Sequence, residues 1–445
     1  MKRIYLISTS AHRTHQHIKH ISTSNTLAHN LQFYGCLKKN VSNLFFTFLC
    51  QMKIILSFIF LVGFKFVCLA QMDTIRMMHY NVLMFPDANL LKGQNMKPIS
   101  RFVKPDIITC NEMIGTQAID TMLSQGLDTS IYASAPFIYD VSIGNGLFYN
   151  KHKIGYLKYN YLSTSPRRTS IYYLYYKDQD FSAFPDTVFL TLYVVHLKSS
   201  QGSANEIQRA TQTAAIRTYL INRPAVFNTF LNGDFNTYSS SEACYQNLLA
   251  EGVGQFFDPI NRPGNWSNNS AFKDIHTQSP RTTSFDDGVT GGLDDRFDFI
   301  LSTEDVINGT HGLRILPETY KALGNDGNHF NQSILSSPVN ASAPDSVIQA
   351  LHQLSDHLPV LVDIEVNPTN AYNSIPPNQN TNQCLDWKSN FSNLLEAEDW
   401  TLTDFTGRII CQKSTYQGQE LIAGLYVLYV QQIGGKSCYQ KISVQ

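Results

Sequence analysis

The chain has 445 residues, and its 34 Lys and Arg against 35 Asp and Glu give a formal net charge of -1 at pH 7. This balance excludes the overall basic excess that broad nucleic-acid binding usually requires, although a local basic patch stays open. With 43% hydrophobic residues the chain can bury a sizeable core, and its length predicts one large folded unit with smaller appendages.

The first element is a hydrophobic leader. Residues Met52 to Ala70, MKIILSFIFLVGFKFVCLA, place a lysine after a methionine, then an apolar run, then a small residue, which predicts a signal peptide. Lys65 interrupts the run and argues against a stable membrane span, although an anchor is the alternative. Residues 1–51 are interpreted as a disordered or upstream extension of the reading frame, with Met52 as the true start.

Short β-rich runs alternate with polar or helical pieces after the leader. Helical spacing predicts helices over Ala204–Ile221 and Ser241–Leu249. Stretches Pro259–Gly292 and Glu318–Asp345 are predicted to be long loops. The class is α/β with strands in two packed layers, and the predicted strands are IRMMHYNVLMF, DIITCNEM, GNGLFYN, YYLYY, VFLTLYVVHLKS, FNTFLNGDFN, RFDFILS and HLPVLVDIEV.

The C-terminal part has a different composition. A domain boundary follows residue 367, because residues 368–383 are rich in Pro and Asn like a linker. Residues 384–445 contain strand-like pieces joined by turn signals, which predict a small β-sandwich. No CxxC pair occurs, which argues against a zinc site, and five cysteines remain after the leader with their pairing open: Cys110, Cys244, Cys384, Cys411 and Cys438.

The segment Leu231–Asn236, LNGDFN, ends an apolar strand with polar groups. Asp234 and Asn236 are two residues apart and therefore face one side of an extended chain. A carboxylate and an amide there suit a phosphate or a hard metal ion, although such a tetrapeptide alone is equally an ordinary turn.

Asp356 and His357 set an acid beside an imidazole just before a strand, where a loop can bend both toward one pocket. Alone, such a pair occurs often by chance. Four further polar residues lie at or near predicted strand ends, where functional groups concentrate: Asn81, Glu112, His196 and Asp298.

In this order and spacing these residues resemble the endonuclease/exonuclease/phosphatase superfamily. The resemblance covers Ile75 to Val366, and its markers are YNV, PDIITCNE, NGLFYN, VHLKS, NGDFN, RFDFIL and SDHLPV. It implies a four-layer sandwich of two packed mixed β-sheets flanked by helices. Two departures are Asn111, where the family more often has glutamine, and the two long loops, which match no substrate-defining motif.

The resemblance also implies roles. Asn81, Glu112 and Asp356 would hold a divalent ion, Mg²⁺ or else Mn²⁺ or Ca²⁺. His357 would act as general base on water, oriented by Asp298. The remaining three would position the nucleophile and the phosphoryl group and hydrogen-bond a phosphate oxygen: Asp234, Asn236 and His196.

The C-terminal module resembles the type A sorting domain of the type IX secretion system, on DFTGRII, GLYVLYV and KSCYQKISV. This implies export through the type IX machinery to the medium or cell surface. A plain β-rich accessory domain is the alternative.

We therefore expect a secreted, monomeric, metal-dependent phosphodiester hydrolase, with nucleic acid as the first substrate candidate. One alternative is a sphingomyelinase-like phospholipid or sugar-phosphate esterase, for which the aromatic run Tyr172–Tyr176 could contact lipid. Another is a non-catalytic surface-binding protein on the same fold. Retention of all the polar residues named above argues against that last reading.

Overall fold

The computed structural model describes residues 72–86, 91–137, 140, 143–177, 188–223, 226–284, 288–368, 399–404, 409–415, 424–432 and 436–444. The predicted upstream extension, the signal peptide and nearly all of the linker lie outside these residues. No helix in the described ranges has both the length and the apolar character that a membrane span needs.

Strands dominate the described chain. In chain order they are β1 (Asp73–Phe85), β2 (Ile107–Met113), β3 (Tyr132–Ser134), β4 (Gly144–Asn150), β5 (Ile154–Leu162), β6 (Thr169–Tyr176), β7 (Phe189–His196), β8 (Thr229–Asp234), β9 (Phe256–Phe257), β10 (Asp298–Thr303), β11 (Leu313–Ala322), β12 (Val360–Val366), β13 (Asp399–Asp404), β14 (Ile409–Gln412), β15 (Gly424–Gln432) and β16 (Lys436–Val444).

The α-helices described are α1 (Lys92–Val103), α2 (Gly115–Thr121), α3 (Ser203–Ile221), α4 (Ala243–Leu249), α5 (Glu304–Asn308) and α6 (Asp345–Leu354). A π-helical turn, Met122–Gly126, continues α2. The two helices predicted from spacing correspond to α3 and α4, so both predictions are confirmed.

Two six-stranded sheets form the main body. The first has the order β11-β12-β1-β2-β4-β3 and the second β5-β6-β7-β8-β10-β9. In each sheet one neighbouring pair is parallel, β1 with β2 and β7 with β8. The other pairs are antiparallel, so both sheets are mixed, as predicted.

The sheets pack face to face and helices cover their outer faces. Side chains such as Met77, Leu192 and Ile300 fill the space between the sheets. On the outside of the first sheet α1 and α6 contribute Met96, Ile99, Ile348 and Leu351, and on the second α3 and α4 contribute Ile216, Leu220 and Leu248. The predicted four-layer sandwich is confirmed.

Strand alternation leads from this core to a polar end. Along β1, Ile75 and Met77 lie in the core between the sheets, whereas Met78 and Tyr80 pack on the helix side. Because alternate residues of a strand share a face, the next inward residues after Met77 are His79 and Asn81. Strands β2, β7, β8 and β10 likewise carry polar residues at the same end of the inter-sheet space.

The predicted start of the second long loop was wrong, because a strand extends into it. The stretch Glu318–Asp345 was expected to be irregular, but β11 continues to Ala322. This strand lies at the edge of its sheet, and its exposed polar side chains hide the strand pattern. In the stretch Pro259–Gly292 the described residues hold one 3₁₀ turn, Ser270–Phe272, and otherwise irregular chain, as expected.

The C-terminal strands form one antiparallel sheet of order β14-β13-β15-β16. Trp400, Leu402, Tyr426 and Leu428 are buried there. A small β-sandwich was predicted; the described residues form one four-stranded sheet, and a second layer stays a prediction. Among the cysteines described, Cys110, Cys244 and Cys411 are free thiols.

Replacing Leu192 tests the packing between the sheets. Its side chain is fully buried, so Leu192→Ala should lower the free energy of unfolding by about 2–5 kcal/mol, measured by urea denaturation. Leu157→Ala on edge strand β5, where the leucine is 36% exposed, is the matched control and should cost about 1 kcal/mol or less. Equal losses would contradict the assigned core.

Candidate active site

The side chains predicted from sequence as site residues all gather at the polar end of the inter-sheet space. Strand pairing brings them there: His196 at the end of β7 lies beside Asp234 at the end of β8, and Asp234 also pairs with Asp298 of β10. Asn81 is paired with Asn111, the neighbour of Glu112 on β2. The ends of five strands therefore converge on one small volume.

Glu112, His196 and Asp234 form the centre of this site. His196 Nε2 is 3.8 Å from Glu112 Oε1 and 3.5 Å from Asp234 Oδ2. All three ligand atoms lie within 4.8 Å of one another. Burial lowers the pKa of His196 well below its ordinary value, so this imidazole is neutral.

The ionised form of Asp234 is disfavoured in this site. Burial raises the pKa of its carboxyl to about 7, and repulsion from Asp298 and Glu112 adds to the shift. A divalent cation would relieve this penalty, because two carboxylates and an imidazole are ordinary ligands for such ions. The donor set therefore fits a metal at Glu112 and Asp234, with His196 beside it.

Asn81 lies between the carboxylates and His357. Its Nδ2 donates to Glu112 Oε1 at 3.0 Å and to Asp234 Oδ2 at 3.1 Å, and lies 3.4 Å from His357 Nε2. Its Oδ1 accepts a bond from the Leu83 backbone N–H at 3.1 Å. The ligand role predicted for Asn81 stays a prediction, and it requires the carboxamide to turn so that oxygen faces Glu112.

His357 and Asp298 form a tight buried pair. Their Nδ1 and Oδ2 atoms are 2.7 Å apart, and the side chains are 3% and 0% exposed. Burial alone acts to lower the pKa of His357, but Asp298, Asp234 and Asp356 together raise it well above its ordinary value. The Ser355 hydroxyl donates to Asn81 O at 2.6 Å and accepts from the His357 N–H at 3.1 Å, which ties the two strands together.

Asp356 lies outside the central cluster of Glu112, His196 and Asp234. Its Oδ2 accepts from the Val289 backbone N–H at 2.8 Å and from Gln278 Nε2 at 3.4 Å, so the carboxylate fastens the long loop over the site. Its Oδ1 is 4.0 Å from His357 Nε2. These contacts support the charge of His357, and the metal-ligand role predicted for Asp356 stays a prediction.

Two site residues have left-handed backbone conformations, which are rare for glutamate and more common for asparagine. Glu112 has φ of 61° and Asn236 has φ of 49°. Such left-handed residues cost free energy and cluster at functional sites. Asn236 is held by its backbone N–H to Asp234 Oδ1 at 2.9 Å and by Nδ2 to Leu197 O at 3.3 Å.

Sequence reasoning missed Gln278, which reaches the site from the irregular stretch Pro259–Gly292. Its Nε2 lies 2.7 Å from His357 Nε2. Its place in an irregular loop, far along the chain from the site strands, gave no periodic signal.

Polar residues also lie behind the site: Asn111, which was named from the sequence as a departure from the family pattern, and two that were missed, Arg167 and His79. The amide oxygen of Asn111 accepts from the Asp234 backbone N–H at 2.9 Å, and its Nδ2 donates to Asn145 at 2.7 Å. Arg167 donates to Leu197 O at 2.8 Å, and its charge acts on Asp234. His79, two residues before Asn81 on the same strand face, could have been found from the alternation alone.

Comparison with known proteins gave structural neighbours only. No family model and no curated protein matches the chain. Solved structures with a similar outline include D. rerio TDP2 complexed with single-strand DNA product, at 14% identity, 66% of this chain, 99% of that chain and TM-score 0.43. The human Nocturnin catalytic domain with bound sulfate anion is 16% identical, with 67% of this chain and 98% of that chain covered and a TM-score of 0.40. An endonuclease/exonuclease/phosphatase family protein from Bacteroides thetaiotaomicron is 14% identical, with 67% of this chain and 99% of that chain covered and a TM-score of 0.42. These values leave the assignment of function to the site itself.

The raised pKa of Asp234 predicts a stability gain in Asp234→Asn. The folded-state pKa of about 7 exceeds the ordinary value of 3.8, so the folded protein binds the extra proton between these values. The penalty on folding therefore grows as pH rises from about 4 to about 7. Without added metal, the melting-temperature difference between variant and wild type should be larger at pH 8 than at pH 5. A difference independent of pH would contradict the assignment.

Metal binding can be measured without activity. Mg²⁺ at about 100 times its Kd should stabilise the wild type by about 2.7 kcal/mol, seen as a rise in melting temperature. Glu112→Gln should lose most of this shift, whereas Glu206→Gln, an exposed control on α3, should retain it. The rises in melting temperature with Mn²⁺ and Ca²⁺ in the same assay rank the three ions by affinity. An unchanged shift in Glu112→Gln would exclude this carboxylate as a ligand.

Proposed function

We propose that this chain is a divalent-metal-dependent hydrolase of phosphodiesters. The observation that carries the proposal is the junction of two arrangements in one buried site. A histidine–carboxylate pair, His357 with Asp298, lies 3.8 Å from Asp234, which belongs to the central cluster with Glu112 and His196. One half is suited to proton transfer and the other to holding a cation.

Hydrolysis of a phosphodiester needs both halves. The anionic oxygens repel nucleophiles, so positive charge and hydrogen-bond donors must neutralise them while a base activates water. A divalent cation held by Glu112 and Asp234 would supply positive charge against the phosphate oxygens. The chain's own groups do the remaining work.

His357 is the proposed general base. Its Nδ1 faces Asp298, so once the ring is neutral the electron pair lies on Nε2. That atom faces Asp234 and Asn81 and lies 2.7 Å from Gln278 Nε2. His196 and Asn236 are proposed to donate hydrogen bonds to phosphate oxygens. The Asn81 side-chain amide contacts Glu112, Asp234 and His357 and is proposed to hold the three side chains in their relative positions.

Nucleic acid is the first substrate candidate that we propose, with action outside the cell. Export is supported by the sequence, which has a leader at residues 52–70 and a C-terminal module that resembles a type IX sorting domain. Nucleic acid is proposed because it is an abundant phosphodiester outside cells. The aromatic run that favoured a lipid substrate is mostly core, because Tyr172, Tyr173 and Tyr176 are buried. That removes the observation on which the phospholipid alternative depended.

Replacing His357 tests the proposed base. With Mg²⁺, the wild type should hydrolyse bis-nitrophenyl phosphate, and His357→Ala should reduce kcat by about 10²–10⁴-fold. Because nearby carboxylates raise the pKa of His357, wild-type kcat/KM should rise with pH until the imidazole loses its proton. His352→Ala, on α6, is the control of the same residue type and should remain active.

The outcomes separate the readings. Equal activity of His357→Ala and wild type would reject the assigned base. If the wild type hydrolyses neither the diesters plasmid, RNA and sphingomyelin nor the monoester inositol phosphates, with and without Mg²⁺, the non-catalytic binding protein becomes the better reading. Preference among these substrates identifies the substrate class.

A further inference from the structure

Two buried polar atoms face each other behind the catalytic pair. His79 Nε2 and Asp298 Oδ1 are 3.7 Å apart, and both side chains are 0% exposed. Within the described chain neither atom has a hydrogen-bond partner of normal geometry, and the Asn111 side chain is another polar group close to the His79 ring. The other carboxylate oxygen of Asp298 is the one that contacts His357 Nδ1. Asp298 therefore lies between two imidazoles.

We propose that His79 is a positioning residue that donates its Nε2 proton to Asp298 and thereby sets the orientation of the Asp298–His357 pair. This rests on the proposed function, in which His357 is the base. His79 does not touch the reacting atoms and acts through Asp298. The arrangement is a chain of three buried side chains, His79, Asp298 and His357.

The tautomer of His79 follows from its other contact. His79 Nδ1 lies 3.0 Å from the Thr109 hydroxyl. That hydroxyl already accepts from Asn232 Nδ2 at 3.2 Å, and its other acceptor, Met78 O, is at 3.5 Å. The Thr109 hydroxyl therefore donates its single proton to His79 Nδ1, the nearer acceptor, which leaves the ring proton on Nε2, directed at Asp298.

The geometry explains why a second donor matters. A carboxylate held at one oxygen still rotates about its Cβ–Cγ bond, and a buried anionic oxygen without a donor is costly. His79 is fixed by strand pairing on both sides, to Val360 and Thr109. Reaching hydrogen-bond distance from 3.7 Å needs a shift of less than about 1 Å.

Three substitutions separate the two nitrogens of His79. His79→Gln places an amide donor near the position of Nε2, His79→Asn places a polar group near that of Nδ1, and His79→Leu keeps the bulk alone. We expect His79→Leu and His79→Asn to lower kcat on bis-nitrophenyl phosphate by about 10–100-fold with KM unchanged. His79→Gln should retain kcat within a few-fold of wild type. Melting temperature and its rise with Mg²⁺ report folding and the metal site in each variant.

A purely structural role for His79 predicts a different pattern. If His79→Asn retains kcat while His79→Gln loses it, the contact with Thr109 matters and the proposal is overturned. It is equally overturned if all three variants keep wild-type kcat, or if loss of kcat follows loss of folding in all three.

The tautomer can be observed independently of turnover. In ¹⁵N-histidine-labelled protein, two-dimensional NMR should show a neutral His79 ring protonated at Nε2, and a spectrum with the proton on Nδ1 would reject the proposal. If the wild type hydrolyses no diester yet this tautomer is seen, the proposed function fails and the hydrogen-bond geometry stands. If the wild type is active and His79→Gln and His79→Leu lose kcat equally, only the positioning role fails.

Discussion

The burial of carboxylates without matching positive charge is the constraint on which the site depends. Asp234, Asp298 and Asp356 are each at most 3% exposed, and Glu112 is partly buried. His357, with its raised pKa, is the group that balances them most directly. Such charges are stable only when paired, protonated or bound to a cation. Folding therefore builds a site that favours cations and in which Asp234 carries an energetic penalty, which is typical of sites whose stability is traded for chemistry.

The penalty is tolerable because the rest of the sandwich is strongly apolar. Between the sheets, residues such as Met77, Leu192 and Phe230 form a continuous core, and the polar side chains begin only beyond it. A layer of neutral amides and hydroxyls separates the core from the acids. Thr109, Asn111 and Asn232 belong to this layer, and they satisfy backbone and side-chain groups of the site. Rigid strands on both sides then hold the charged groups within hydrogen-bond distances.

Much of this arrangement was predictable from sequence, for a definite physical reason. His196, Asp234 and Asp298 come at the ends of apolar strands, Glu112 one residue before an end and Asn81 within β1 at the same level. Neighbouring strands of packed sheets bring such positions together. Gln278 was not predictable because it reaches His357 from an irregular loop, where no periodicity relates sequence to position. Helix α1 was missed because Gly93 and Pro98 break its helical pattern, although its apolar residues pack on the sheet. The edge strand β11 was partly missed because an exposed edge carries polar residues.

Because side chains alternate between the two faces of β1, catalytic activity depends on the correct pairing of this strand with its neighbours. A slip of β1 by one residue against its neighbours would turn His79 and Asn81 toward the helices and bring Met78 and Tyr80 between the sheets. Such a chain could keep its strand content and much of its compactness while having no site at all. Specific turnover per folded molecule would then measure how faithfully the sheets have paired, a quantity that circular dichroism does not resolve.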